Sequence, residues 1–115
     1  MLHDAILLTG AGQRLGLHHA ERILDLGWPL LFTYRTRRPS VEHLVSRGAI
    51  AIQADLSHAE GIVACIDSVH RHTASLRAII HNASLWLDDV HIAQNPMAWN
   101  ALMQLHVHAP YRINL

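Results

Sequence analysis

Four short stretches carry residue types whose spacing suits a phosphorylated ligand with flat rings. The first is Thr9-Gly10-Ala11-Gly12-Gln13-Arg14-Leu15-Gly16, which follows the apolar run Ala5 to Leu8. Glycines let the backbone bend sharply and let a ligand approach it closely. A helical pattern opens at Arg14, and the unpaired N–H groups and positive dipole of a helix start suit a pyrophosphate. A plain strand–turn–helix connection would use the same glycines. The second stretch is Tyr34-Arg35-Thr36-Arg37-Arg38, with no acid and three arginines. Where a dinucleotide binds, an acid after the second strand takes the ribose 2′-hydroxyl, whereas an arginine receives a 2′-phosphate. The forked guanidinium matches phosphate oxygens, so this stretch points to NADP(H) over NAD(H), the alternative being a solvated basic turn. In the third, Gln53-Ala54-Asp55-Leu56-Ser57, Asp55 either accepts from an adenine amino group, with Leu56 against the ring, or merely starts a turn. The fourth is His81-Asn82-Ala83-Ser84-Leu85-Trp86, where Trp86 either stacks on a heterocycle or fills a core or interface.

These stretches can meet only if the elements before them are parallel strands. The pattern alternates strand and helix, which predicts an α/β protein, a doubly wound parallel sheet of Rossmann type with helices on both faces. Strands are expected at Asp4–Thr9, Pro29–Tyr34, Ala49–Gln53 and Leu76–His81. The first helix is expected over Arg14–Leu26, with Leu15, His19, Ile23 and Leu26 on the buried face and Gly27 as its stop. Ser40 is the expected N-cap of a short helix to Arg47, with Glu42 in its first turn and Gly48 beyond it. Ser57 and Glu60 form a capping-box pattern for the next helix, which would bury Ile62, Cys65 or Ile66, and Val69. Asn95 should cap a last helix with Pro96 at its first position, and Pro110 should kink or stop it. Right-handed crossovers set the strand order three-two-one-four. The fourth strand would then be a bare apolar edge, which soluble proteins avoid, so a further portion of sheet is expected.

Composition narrows the classes. The chain has 115 residues, 50% hydrophobic, with formal net charge zero. That suffices for one domain with a core and leaves no basic footprint for nucleic acid. The single cysteine, Cys65, excludes a disulfide scaffold and four-cysteine zinc sites. No stretch has membrane length and no signal pattern opens the chain, so a cytoplasmic protein is expected. The eleven histidines lack H-E-x-x-H or finger spacings, so no metal site is expected. All nine basic residues are arginine.

The four motifs together resemble the short-chain dehydrogenase/reductase family, and within it the pteridine reductase branch. The resemblance covers nearly the whole chain as the family's N-terminal, NADP(H)-binding half. It implies reduction of a 7,8-dihydropterin by NADPH. Gly10, Gly12, Gln13, Arg14, Leu15 and Gly16 would then carry the pyrophosphate, with Arg14 also reaching the pterin. Tyr34, Arg35 and Thr36 would hold the 2′-phosphate, and Asp55 and Leu56 the adenine. Asn82 and Ala83 would line the cofactor near its ribose, Ser84 would face nicotinamide and substrate, and Trp86 would sandwich the pterin. Three positions depart from the family pattern: Arg14 stands where most members have glycine, His81 replaces an asparagine, and His106 occupies the place of a catalytic asparagine. The family's catalytic Tyr-x-x-x-Lys pair is not in these residues, since there is no lysine. This segment alone is therefore expected to be inactive. The resemblance also implies a homotetramer with the final helix in an interface. Two rival readings are a short-chain reductase of another carbonyl compound and a non-catalytic NADP(H)-binding regulator.

Overall fold

The computed structural model describes residues 1–84 and 95–115; Trp86 lies outside them. Four parallel strands, β1 (Ala5–Leu8), β2 (Leu30–Tyr34), β3 (Ile50–Gln53) and β4 (Leu76–Ile80), form a sheet in the order β3-β2-β1-β4. This is the order expected, and strand limits agree within about a residue, the usual fuzziness of element ends. The helices are α1 (Arg14–Asp25), α2 (Pro39–Ser46), α3 (Ala59–His72), α4 (Pro96–Met103) and α5 (Ala109–Asn114), with a π-helical turn at Gln104–His108 between the last two.

Every residue of β1 and β2 is buried, because helices cover both faces and adjacent side chains point to opposite ones. Ile6, Leu8 and Phe32 pack with Ala20, Ile23, Val41 and Leu44 from α1 and α2. Leu7, Leu31 and Ile52 pack with Ile62, Cys65 and Val69 from α3. Burying a side chain of the Leu or Phe class stabilises by roughly 1.5–3 kcal/mol, so these central strands form the rigid base of the molecule.

Three local expectations are corrected. The buried stripe of α1 is Gly16, Ala20 and Ile23, whereas Leu15 is 60% and Leu26 66% exposed. Small residues let α1 approach the sheet closely, and that approach, rather than the largest apolar side chains, sets its rotation. Arg38 and not Ser40 is the N-cap of α2, with Pro39 in the first turn. The Ser40 hydroxyl instead donates to the Gly12 carbonyl at 2.5 Å. The capping box of α3 does not form either: His58 is the N-cap, without a side-chain cap bond, and the Ser57 hydroxyl donates to Asp55 Oδ1 at 2.5 Å. In both cases a long-range or turn-forming acceptor wins the serine.

Pro110, expected to kink or stop the last helix, does not stop it, but the α-helix is interrupted just before it. It falls in the first turn of α5, where its missing N–H is no loss, and the π-helical turn just before it takes up the misfit. The cap at Asn95 forms as expected, its side chain accepting from the Met97 N–H at 3.1 Å.

Candidate functional site

All four strands run the same way, so their carboxyl ends lie at one edge of the sheet. The loops leaving them enclose a cleft of about 600 Å³, at the edge where doubly wound sheets bind ligands.

The loop after β1 forms its floor. Gly10 has φ +74°, and a Cβ there would sit 2.7 Å from the Ala83 Cα. A Cβ on Gly16 would sit 2.1 Å from the Gly10 carbonyl oxygen and 2.5 Å from Asn82 Nδ2. Backbone conformation and close packing therefore account for these two glycines. Gly12 is different. Its φ is not left-handed, and a Cβ would meet only the Tyr34 Cβ, at 3.7 Å. Neither strain nor crowding calls for glycine there, yet Gly12 lines the cleft. Its bare backbone leaves open space on the cleft side of the turn.

Two buried threonines hold this floor in place. Thr33 Oγ1 accepts from the Gly10 N–H at 3.0 Å. Thr9 Oγ1 accepts from the N–H groups of Asn82 and Ala83 at 3.0 and 3.1 Å. The Asn82 side chain returns a bond to the Gly10 carbonyl at 3.0 Å. Loops separated by more than seventy residues are thus tied into one rim. Ser40 adds the tie from α2 to Gly12. The structural roles of Thr33 and Ser40 were not read from the sequence. For Thr33 a signal existed: a hydroxyl in an otherwise apolar, buried strand must find a partner.

The three arginines after β2 divide. Arg35 and Arg38 line the cleft together with Thr36. Arg37 does not; its guanidinium lies 5.4 Å from the Tyr34 ring centre, donates to Tyr34 Oη at 2.5 Å and pairs with Glu42 through Nε at 2.7 Å. The hydrogen bond to Glu42, then that to Tyr34, raises the Arg37 pKa above its ordinary value.

Asp55 lines the cleft with Leu56 and Ser57. Partial burial pushes its carboxyl up, but bonds from the Ser57 hydroxyl and N–H, with His58 and Arg35 nearby, outweigh this and hold it below its ordinary value. It is a carboxylate at neutral pH with two of its acceptor sites already used. Among the cleft-lining residues stand three arginines, Arg14, Arg35 and Arg38, against one acid, Asp55. An anionic ligand is favoured.

Every residue expected to touch a cofactor, Gly10 and Gly12 to Gly16, Tyr34 to Thr36, Asp55 and Leu56, and Asn82 to Ser84, lies on this one cleft. His106 does not; it is exposed in the π-helical turn, while its neighbour Leu105 reaches the cleft. Of the residues expected to touch substrate, Arg14 and Ser84 are on the cleft, and Trp86 lies outside the described residues. Among the described residues, no group of three or more His, Cys, Asp or Glu could hold a metal, and no helix is long and apolar enough to cross a membrane.

Known proteins share both pattern and shape. A dihydromonapterin reductase of Klebsiella pneumoniae is 44% identical over 109 residues, covering 95% of this chain and 45% of that protein. Those of an Enterobacter species and of Escherichia coli K12 are 45% and 40% identical over the same length. The chain thus spans under half the length of these curated relatives. Among solved structures, a metagenomic short-chain oxidoreductase in complex with NADP superposes with TM-score 0.78 at 26% identity, over 96% of this chain and 52% of that one. A bulky-bulky ketone specific alcohol dehydrogenase from Comamonas testosteroni gives 0.80 at 26% identity, over 98% and 49%. The family model described as short chain dehydrogenase matches residues 4–114. With the strand order and the glycine-floored cleft, that match places the chain in the short-chain dehydrogenase family.

Proposed function

We propose that the chain is the NADP(H)-binding half of a reductase acting on a 7,8-dihydropterin, dihydromonapterin first and dihydrofolate second, in the cytoplasm. The observation that carries this reading is the cleft itself, glycine-floored, with two arginines after β2 and no acid there. The relatives' names supply the substrate class.

NADPH, when bound, supplies a hydride to the substrate. The chain's own share is positioning. Gly12 leaves room for the pyrophosphate beside the start of α1, where unpaired N–H groups favour negative charge. Arg35 and Thr36 take the 2′-phosphate through charge-assisted bonds. Asp55 accepts from the adenine edge with the capacity that Ser57 leaves free, and Leu56 covers the ring. Asn82 and Ala83, fixed to Thr9, set the wall beside the ribose, and Ser84 faces the reacting rings. Arg14 reaches from the pyrophosphate toward the pterin, and Trp86 stacks on it. Holding two rings in register is worth several powers of ten in rate before any proton moves. The proton-donating pair belongs to the residues beyond this segment, and His106 would hold a water for it.

The test is NADPH oxidation by the complete enzyme with 7,8-dihydromonapterin. Turnover that collapses with NADH supports the reading. Absence of turnover with any dihydropterin, alongside turnover of a bulky ketone, would favour the carbonyl reductase reading, which the Comamonas likeness supports. Tight NADPH binding without turnover of either class would favour a regulator.

A further inference from the structure

We infer that Arg38, and not Arg37, is the second reader of the ribose 2′-phosphate beside Arg35; this rests on the nucleotide reading above. By residue type alone, Arg37 and Arg38 are equivalent candidates for that second place. The fold separates them by what each already touches.

Arg37 is committed. One face of its guanidinium lies over Tyr34, one N–H donates to the phenol oxygen, and its remaining edge pairs with Glu42 on α2. A guanidinium has five N–H donors in a fixed fork, and turning this one toward the cleft would break all three contacts. Its visible work is to brace the turn between β2 and α2.

Arg38 is uncommitted. It lines the cleft and is exposed, and among the described residues its side chain has no hydrogen bond or ion pair. Its backbone is extended at φ −135° as the N-cap of α2, so the side chain leaves the chain where the first unpaired N–H groups of that helix begin. Arg35 and Thr36 line the same cleft from the other end of the turn. Two guanidinium groups and a hydroxyl from one turn, lining one cleft beside a helix start, suit a dianionic phosphate, whose three terminal oxygens exceed what one arginine can satisfy. Tyr34 keeps this corner rigid, since its ring is buried and its hydroxyl is held by Arg37.

The experiment titrates the full-length protein with NADPH and, separately, with NADH, following nicotinamide fluorescence. Arg38→Gln should weaken NADPH by about 10- to 100-fold, the worth of a charged hydrogen-bonding pair, and leave NADH within about twofold. Arg38→Lys should fall between, since it restores charge without the fork. Arg37→Gln should lower the melting temperature yet keep the NADPH-to-NADH preference within about threefold. If Arg38→Gln leaves the preference intact, or Arg37→Gln abolishes it while Arg38→Lys and Arg38→Gln do not, the assignment is overturned. A wild-type protein that binds neither nucleotide overturns the underlying reading as well, which separates the two failures.

Discussion

Arg14 combines a backbone conformation that suits glycine with a cation that glycine would not supply. It opens α1 with φ +55°, in the left-handed region, and it lines the cleft. The conformation costs a non-glycine residue about 1–2 kcal/mol, which the fold tolerates in exchange for a cation beside the glycine floor. Arg14→Gly should therefore raise stability by up to about 1 kcal/mol, the relief being partly offset by glycine's looser unfolded chain. The same change should weaken NADPH by about tenfold. Thermal melts and nucleotide titration check the two halves, and a variant unchanged in both would remove Arg14 from the site. Cys65 shows the opposite economy. It is buried on the inner face of α3, and burial pushes its thiol up from 9.0 to about 11. Because the folded value is the raised one, its contribution is complete below the unfolded value and disappears as pH climbs through the folded one. Between pH 9 and 11 stability should drop by up to about 1.4 kcal/mol per unit. Cys65→Ala should flatten that alkaline limb in urea titrations, and the native thiol should resist alkylation at pH 8.

At the scale of elements, the turn from β1 into α1 separates packing from binding. Gly16→Ala would drive a Cβ into the Gly10 carbonyl, and since backbone must move, about 1–3 kcal/mol of stability should go. Gly12→Ala meets only ordinary contact with Tyr34. It should melt within about 0.5 kcal/mol of wild type yet lose NADPH affinity more than Gly16→Ala does once each is corrected for folding. Circular dichroism melts paired with titration decide this; a Gly12→Ala variant that binds NADPH like wild type would mean Gly12 has no ligand-facing role. The sequence made these elements legible because apolar runs of four or five residues, ended by glycine or a charged turn, are hard to mistake for helices in an alternating chain. The carboxyl-end loops followed, since a parallel sheet leaves them no other place to converge. What stayed hidden was every bond made by a hydroxyl across the fold. Ser40 and Ser57 both look like caps; tertiary structure supplies the Gly12 carbonyl to Ser40, while Ser57 closes a local turn onto Asp55 two residues before it. The rotation of α1 is hidden for a related reason: Leu15 and Leu26 outrank Gly16 and Ala20 in hydrophobicity, but closeness of approach governs a helix lying on a sheet.

At the scale of the molecule, charge is balanced overall and unbalanced locally. Formal net charge is zero, while the cleft has three arginines to one acid. Such focusing raises the local concentration of an anion and weakens as salt rises. Bound nucleotide should stabilise the folded full-length protein by mass action, about 2.7 kcal/mol at a hundredfold excess over Kd. The melting temperature should climb with NADPH concentration, and climb less in 0.5 M salt, the screened condition. A shift indifferent to salt would argue against charge as the source of affinity.

The tie between Thr9 and the backbone at Asn82 has a consequence for biosynthesis. The cleft's floor leaves the ribosome early, yet the partner that props it is translated more than seventy codons later. Closing so long a loop is slow compared with forming a local helix. A nascent polypeptide halted before Ala83 would thus carry the whole glycine turn and still offer no nucleotide a finished seat, so capture of the dinucleotide belongs after β4 has docked beside β1, not to the growing chain's first exposed segment.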